Sequence, residues 1–221
     1  MKNIQILIPT RNRWEKLIKT LESIPKLSFL NILVVCDGDG KTYEKLKKRN
    51  KKQFQKVKLV YLDHSGSVRA RNFALIKCPP EDGLLYATDD IEFTKGSIEH
   101  AFKIFNRKFP DDDGVVGFVQ DQSFHPSGVG LVGSKFLSRY PKKALFCPAY
   151  YHFACQEILR FCETFKPKKF ISDPKALVNH YHPGVYKDLK DQTHEEARVF
   201  KRQDRILDYD REKRNIVWPL G

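Results

Sequence analysis

The chain has 221 residues, of which 41% are hydrophobic and 12% aromatic; 40 Lys and Arg stand against 27 Asp and Glu, for a formal net charge of +13. That apolar fraction excludes a disordered polycation, and no apolar run reaches the length of about 20 residues that a membrane-spanning helix needs. Five irregularly spaced cysteines (Cys36, Cys78, Cys147, Cys155, Cys162) and an N-terminal MKNIQILIPTRNR lacking a small-residue cleavage site predict reduced thiols and a cytoplasmic chain.

Asn3–Ile8 is a run rich in β-branched residues and predicts a buried first strand. Beyond Pro9 the period changes. Trp14, Leu17, Ile18 and Leu21 share one helical face, and Asn12 with Glu15 forms a capping pair at its start. Asn31–Cys36 predicts a second strand, stopped by Asp37-Gly38-Asp39-Gly40. Residues 41–58 carry nine Lys or Arg and one Glu, and Val57–Leu62 resumes as a third strand. A helix around Val68–Ile76 and a strand Gly83–Ala87 follow, the latter ending at Thr88-Asp89-Asp90. Ile98, Ala101, Phe102 and Phe105 again show helical spacing before a strand at Gly114–Val119.

Strands alternating with helices over 120 residues predict βαβ units and an α/β fold with a mostly parallel central sheet and flanking helices. The second half is less regular: a strand running into a short helix over Gly128–Leu137, a helix over Tyr151–Cys162, and a short strand at Ala176–His180. The tail from Lys187 is highly charged and helical. Without repeats, low-complexity segments or linkers, the whole of 1–221 reads as a single domain. Within it, residues 1–110 form one half, 111–185 a second, and 186–221 a charged tail.

In an open α/β sheet ligands bind beyond the carboxyl ends of the strands. The residues standing there are Pro9-Thr10-Arg11-Asn12, Asp37-Gly38-Asp39, Asp63-His64-Ser65-Gly66 and Asp89-Asp90. At least five carboxylates on one edge are hard to explain as packing. No G-x-x-x-x-G-K-[ST] occurs and no G-x-G-x-x-G follows the first strand, which disfavours P-loop and Rossmann dinucleotide sites. Cys147, His152, Cys155 and Cys162 match no zinc-knuckle spacing.

The segments ILIPTRNR, VVCDGDG, GSVRARNFAL and YATDDIEF, in that order and each at a strand end, resemble the nucleotide-binding half of GT-A-fold glycosyltransferases of the family-2 type. The resemblance implies a sugar transferase that uses a nucleotide-diphosphate sugar, most commonly a UDP-sugar, and a divalent metal, Mn²⁺ or Mg²⁺. It places Pro9, Thr10 and Arg11 on the nucleotide pocket, Asp37 at the base or ribose, and Arg69, Arg71 and Asn72 along the diphosphate and ribose. It makes Asp90 the direct metal ligand, with Asp89 on the ribose or the metal's water; Thr88 stands where the family's first carboxylate lies. YYHFACQEILRF resembles the segment bearing the catalytic acidic residue, so Glu157 is the implied general base. Its competing reading is a helix carboxylate paired with Arg160. VNHYHP resembles a distal segment that completes the metal site through His180 or His182, and the sequence does not choose between them.

The basic excess, clearest in Lys45–Lys52 and Lys166–Lys169, suits an anionic acceptor. Small basic transferases of this kind resemble phage-type enzymes that glycosylate hydroxymethylated pyrimidines in DNA, which would act in a host cytoplasm. Tyr150, Tyr151 and Phe153 are then candidates for stacking an extruded base. The alternatives are transfer to a cell-surface glycan or lipid-linked acceptor, and a basic nucleic-acid-binding protein without catalysis. The lipid reading needs an amphipathic docking element, for which the charged tail is a poor candidate. No membrane insertion and no protein partner are expected.

Overall fold

A computed structural model describes residues 3–49, 57–120, 128–152, 154–181 and 191–220. In chain order they form β1 (Ile4–Thr10), α1 (Trp14–Ser23), β2 (Leu30–Asp37), α2 (Gly40–Arg49), β3 (Val57–Leu62), α3 (Ser67–Lys77), β4 (Gly83–Tyr86), β5 (Ile91–Phe93) and α4 (Ser97–Lys108). There follow β6 (Val115–Gln120), β7 (Gly130–Gly133), α5 (Ser134–Leu137), α6 (Cys155–Glu163), β8 (Phe170–His180) and α7 (Gln192–Lys213). One eight-stranded sheet runs in the order β3-β2-β1-β4-β7-β6-β8-β5. Strands β1 to β4 are mutually parallel, and β6 is parallel to β8. Only β7 and β5 run against the rest.

The sheet separates two apolar layers. Ile4, Ile6 and Ile8 of β1 face α1 and α4 through Leu17, Leu21, Ile98 and Phe105. Leu7, between them in sequence, faces the opposite layer with Val68 and Leu75 of α3, Phe136 of α5 and Ile158 of α6. Alternation sends successive side chains to opposite faces, so a strand covered on both sides is apolar throughout. Each such Leu or Ile contributes about 1.5–3 kcal/mol on burial.

The α/β architecture and the predicted elements through α4 stand as expected, with differences that have physical causes. The Asn12–Glu15 capping pair does not form. Asn12 adopts a left-handed φ of 54° and gives its N–H to Asp39 Oδ2 at 2.7 Å, so α1 begins after Arg13 with no side-chain cap. Strand β8 starts at Phe170, well before Ala176, because Pro174 sits in an irregularity. There the pairing with β6 jumps from Phe118↔Asp173 to Val119↔Leu177, and a proline needs no ladder partner. The three-residue β5 is too short to show a period. The distal helix forms, yet it starts at Cys155, not Tyr151.

Because six strands point the same way, Thr10, Asp37, Leu62, Tyr86, Gln120 and His180 all end at one edge. The loop after β3 reaches this edge through Gly66, whose φ is 91° and where an added Cβ would lie 2.7 Å from the Tyr151 ring. Glycine meets both demands there.

Candidate active site

At that edge a cavity of about 300 Å³ is lined by Pro9, Thr10, Arg11, Arg13, Asp37, His64, Arg71, Asp89, Asp90, Tyr151, His152 and His180, among others. Eight of the expected site residues (Pro9, Thr10, Arg11, Asp37, Arg71, Asp89, Asp90 and His180) therefore share one wall. Arg69 points to solvent and is not on it. Asn72 is buried, with Nδ2 donating to the Phe146 carbonyl at 2.7 Å and Oδ1 accepting from the Phe146 N–H at 3.1 Å; it braces the 146 loop, away from the cavity. His182 and Phe153 lie outside the described residues.

Glu157 is a correction. It is 1% exposed and does not line the cavity. Its carboxylate accepts from Arg211, from the Tyr150 hydroxyl at 2.7 Å and from the Trp218 N–H at 2.7 Å. A carboxylate saturated in this way by three donors from α7, its flank and the 150 loop is a tie between segments. Its i+3 neighbour Arg160 is 3.7 Å away and instead bonds Asp208. Tyr150 is likewise core, 1% exposed, whereas Tyr151 does stand on the cavity wall, stacked on Phe200 at 3.8 Å between ring centroids.

The carboxylates at the strand ends have separate tasks. Asp37 accepts the N–H groups of Ser65 (2.7 Å) and Gly66 (3.1 Å) and faces His64 Nδ1 at 2.9 Å, fixing the loop after β3. Asp89 accepts from Thr10 Oγ1 at 2.8 Å and from Arg13 Nη1 at 3.0 Å. Burial pushes the Asp89 carboxyl above its ordinary range despite Arg13. Burial also opposes the charge on Asp90, but His180, His194 and Arg13 outweigh it and hold that carboxyl well below the usual range. A buried pair with pKa values driven apart is a feature of functional sites.

Arg13 escaped the sequence reading. It is the hub of the edge, reaching Asp89, Asp90 (3.4 Å), Asp191 (3.0 Å) and His194 Nε2 (2.7 Å). Its signal was its place two residues after Arg11 in the same post-strand loop. The start of α7 was also missed. Asp191 caps that helix through the His194 N–H, Thr193 Oγ1 bonds the Arg11 carbonyl at 2.7 Å, and Glu196 pairs with Arg11 at 2.9 Å. Thr193, His194, Glu196 and Ala197 line the cavity, so the segment read as a tail forms part of its wall. The recurrence of Phe200, Asp204, Leu207, Asp208 and Arg211 along one helical face could have revealed this docking.

Two observations bear on what the cavity can hold. Arg71 is 4% exposed, packs its guanidinium over the Phe146 ring at 5.0 Å and bonds only the Ala87 carbonyl at 3.3 Å; its buried Nε has no partner among the described residues. A buried cation without a carboxylate partner suits an anionic ligand. Second, Asp90 Oδ1 stands 3.3 Å from His180 Nε2, while His180 Nδ1 faces Gln120 Oε1 at 2.6 Å. With Nδ1 donating to Gln120, loss of the Nε2 proton that faces Asp90 would free an Nε2 lone pair for a cation shared with Asp90. Two ligands at right angles on an ion about 2.1 Å away are about 3 Å apart, so this pair suits a divalent cation. Among the described residues no group of three or more His, Cys, Asp or Glu is arranged to hold a metal by itself. His194 is less suited, since its Nε2 lies farther from Asp90, at 3.7 Å, and only 2.7 Å from the Arg13 guanidinium.

His152 stands on the cavity wall with its side chain exposed there. The protein crowded around the ring, then the charges of Arg71, Arg13 and Lys201, lower its pKa to about 4. The unfolded chain therefore takes up this proton first, and stability is lost as pH falls from about 6.5 to about 4. His152→Gln is expected to flatten the dependence of the urea midpoint on pH across that window; an unchanged slope would contradict the lowered pKa.

The glycosyl transferase family 2 model matches residues 5–158. No curated protein matches the chain. Among solved structures, the mannosyltransferase PcManGT from Pyrobaculum calidifontis, in complex with GDP-Man and Mn²⁺, is similar with a TM-score of 0.60 at 14% identity, covering 80% of this chain and 56% of that one. S. aureus TarS 1-349 gives 0.59 at 14% identity (84% and 62%), and GalNAc-T7 with UDP, GalNAc and Mn²⁺ gives 0.65 at 14% identity (80% and 43%). The chain thus spans between 43% and 62% of the length of the chains in these three structures, and 38% of the longer TarS chain. The fold is that of GT-A glycosyltransferases, as the order of the strand-end motifs implied. With the family model matched from β1 through β7, including the strand-end residues Thr10, Asp37, Asp89 and Asp90 on the cavity, the chain belongs to glycosyl transferase family 2.

Proposed function

We propose that the chain transfers a sugar from a nucleotide-diphosphate sugar, a UDP-sugar foremost, to an acceptor hydroxyl, with a divalent metal. The observation that carries this is the gathering of Arg71, Arg11, Asp90 and His180 on one cavity, an anion site beside a cation site. Asp90 and His180 would hold Mn²⁺ or Mg²⁺, which when bound supplies positive charge to the departing diphosphate. Two of the similar structures hold Mn²⁺, with GDP-Man in one and UDP in the other. Pro9, Asp37 and His64 bound the end of the cavity that would take the nucleoside, and Arg11 and Arg71 face the phosphates. Arg13 and Thr10 keep Asp89 in place, which makes Asp89 a brace for the Asp90 loop.

With Glu157 removed from the chemistry, the acceptor proton passes to His152, the neutral imidazole facing the cavity. Desolvation and then the charges of Arg71 and Arg13 depress His152; a bound diphosphate would offset the second of these causes and so favour proton uptake. For the acceptor, a hydroxymethylated pyrimidine in DNA rests on the basic excess and on the resemblance to phage-type transferases. Of the aromatic residues meant to stack a flipped base, Tyr150 is in the core.

The test is incubation of the purified chain with UDP- and GDP-sugars, with Mn²⁺ or with a chelator, followed by mass spectrometry of products. Hydroxymethylated DNA, a lipid-linked acceptor and a soluble glycan are offered in parallel. Release of nucleotide that requires metal is expected. Absence of turnover and of donor binding across the whole panel would refute the reading.

A further inference from the structure

α7 is a 22-residue helix with two opposed faces. Its inner face is anchored: Asp204 accepts the N–H groups of Tyr151 and His152, Phe200 stacks on Tyr151, Arg211 pairs with Glu157, and Leu207 joins the core. On a helix of 3.6 residues per turn, Val199, Arg202, Ile206 and Tyr209 form a stripe roughly opposite that face, with Arg198 and Arg205 along its side. Val199, Ile206 and Tyr209 are 67%, 62% and 68% exposed, and they are three of the six large hydrophobic side chains exposed among the described residues. Single exposed apolar residues are ordinary, but three aligned among arginines on one helix mark an interaction surface.

We propose that this outward face of α7 docks on an anionic lipid surface. Val199, Ile206 and Tyr209 enter the interface, and Arg198, Arg202 and Arg205 meet the headgroup phosphates. The charge on the stripe selects an anionic partner, and the branched aliphatic side chains select lipid over nucleic acid. Val and Ile offer a base neither stacking nor hydrogen bonds, whereas an apolar phase rewards their removal from water. Among the described residues Arg198 is held by an exposed Glu195 contact at 3.9 Å, which is readily exchanged for a phosphate. The charged segment thus supplies the amphipathic element that its composition concealed. The face begins one turn beyond Glu196 and Ala197 of the cavity wall, so docking would bring the cavity close to lipid-borne acceptors.

The experiment is co-sedimentation of the full chain with phosphatidylcholine vesicles and with vesicles containing phosphatidylglycerol, and it needs no sugar donor. It can therefore fail while the transferase reading holds, and the reverse. Pelleting with the anionic vesicles only is expected. Replacing Arg198, Arg202 and Arg205 by Ala should weaken it roughly a hundred-fold, given about one decade or somewhat less per basic residue near the surface. The variant V199S/I206S/Y209S should weaken it at least ten-fold. Circular dichroism and melting serve as fold controls. Failure to pelleting-bind anionic vesicles, or loss in the arginine variant but not in the serine variant, would overturn the proposal. So would binding of an oligonucleotide, or concentration-dependent dimerisation, that uses the same residues without any vesicle binding.

Discussion

Asp90→Ala is expected to lower metal-dependent donor turnover about a thousand-fold. Charge stabilisation by a bound ion amounts to several kcal/mol, and each 1.36 kcal/mol is one decade in rate. The substitution removes a buried strand-end carboxylate that His180, His194 and Arg13 keep ionised. The loss should be in kcat and in metal dependence, and the Mn²⁺-induced rise in melting temperature of the native chain should disappear with it. Thr88, whose hydroxyl donates to Asp90 Oδ1 at 2.7 Å, provides a graded companion. Thr88→Val should cost far less, because it removes one hydrogen bond and leaves the carboxylate. Unchanged metal-dependent turnover in Asp90→Ala would show that the cation is held elsewhere.

Glu157→Gln should act on stability, costing about 3–5 kcal/mol. Breaking a buried ion pair by removing one partner strands the other charge. Here Arg211 would lose its carboxylate, and the Tyr150 hydroxyl and Trp218 N–H would each face a weaker acceptor. Urea unfolding measures the loss directly, and turnover per folded molecule should stay within about twofold. The opposite pattern, turnover falling a hundred-fold with the urea midpoint unchanged, would restore Glu157 as the general base.

These two residues show how far the sequence could be read. Asp90 was legible because its position follows from chain order: a buried strand ends, and the next polar residues lie at the sheet's carboxyl edge. His180 was legible from a resemblance, and the structure explains its place through β8 running parallel to β6. Glu157 was misread because spacing along a helix does not say which face is covered. The covering element, α7, lies some fifty residues away, and its acids and bases looked like a solvated tail. Arg13 was overlooked for a related reason. In sequence it is one basic residue among many, and only the meeting of the β1 loop, the β4 loop and α7 makes it the centre of a cluster. The net charge was legible as a number but not as a pattern. Lys45 and Arg49 lie over the Trp14 ring, and Lys169 pairs with Asp113, so part of each basic cluster is consumed in packing.

α7 touches Arg11 and Arg13 at one end and Glu157 at the other, and just beyond it Trp218 bonds both Glu157 and, through its indole N–H, the Ala144 carbonyl at 2.9 Å. The helix is therefore a strut between the carboxyl edge of the sheet and the distal layer, and the portion recognisable as family 2, residues 5–158, stops short of it. Anyone grafting this catalytic unit onto another protein would have to carry the chain through Trp218. A cut at the family boundary would remove part of the cavity wall and, at the same stroke, the partner of its most deeply buried acid.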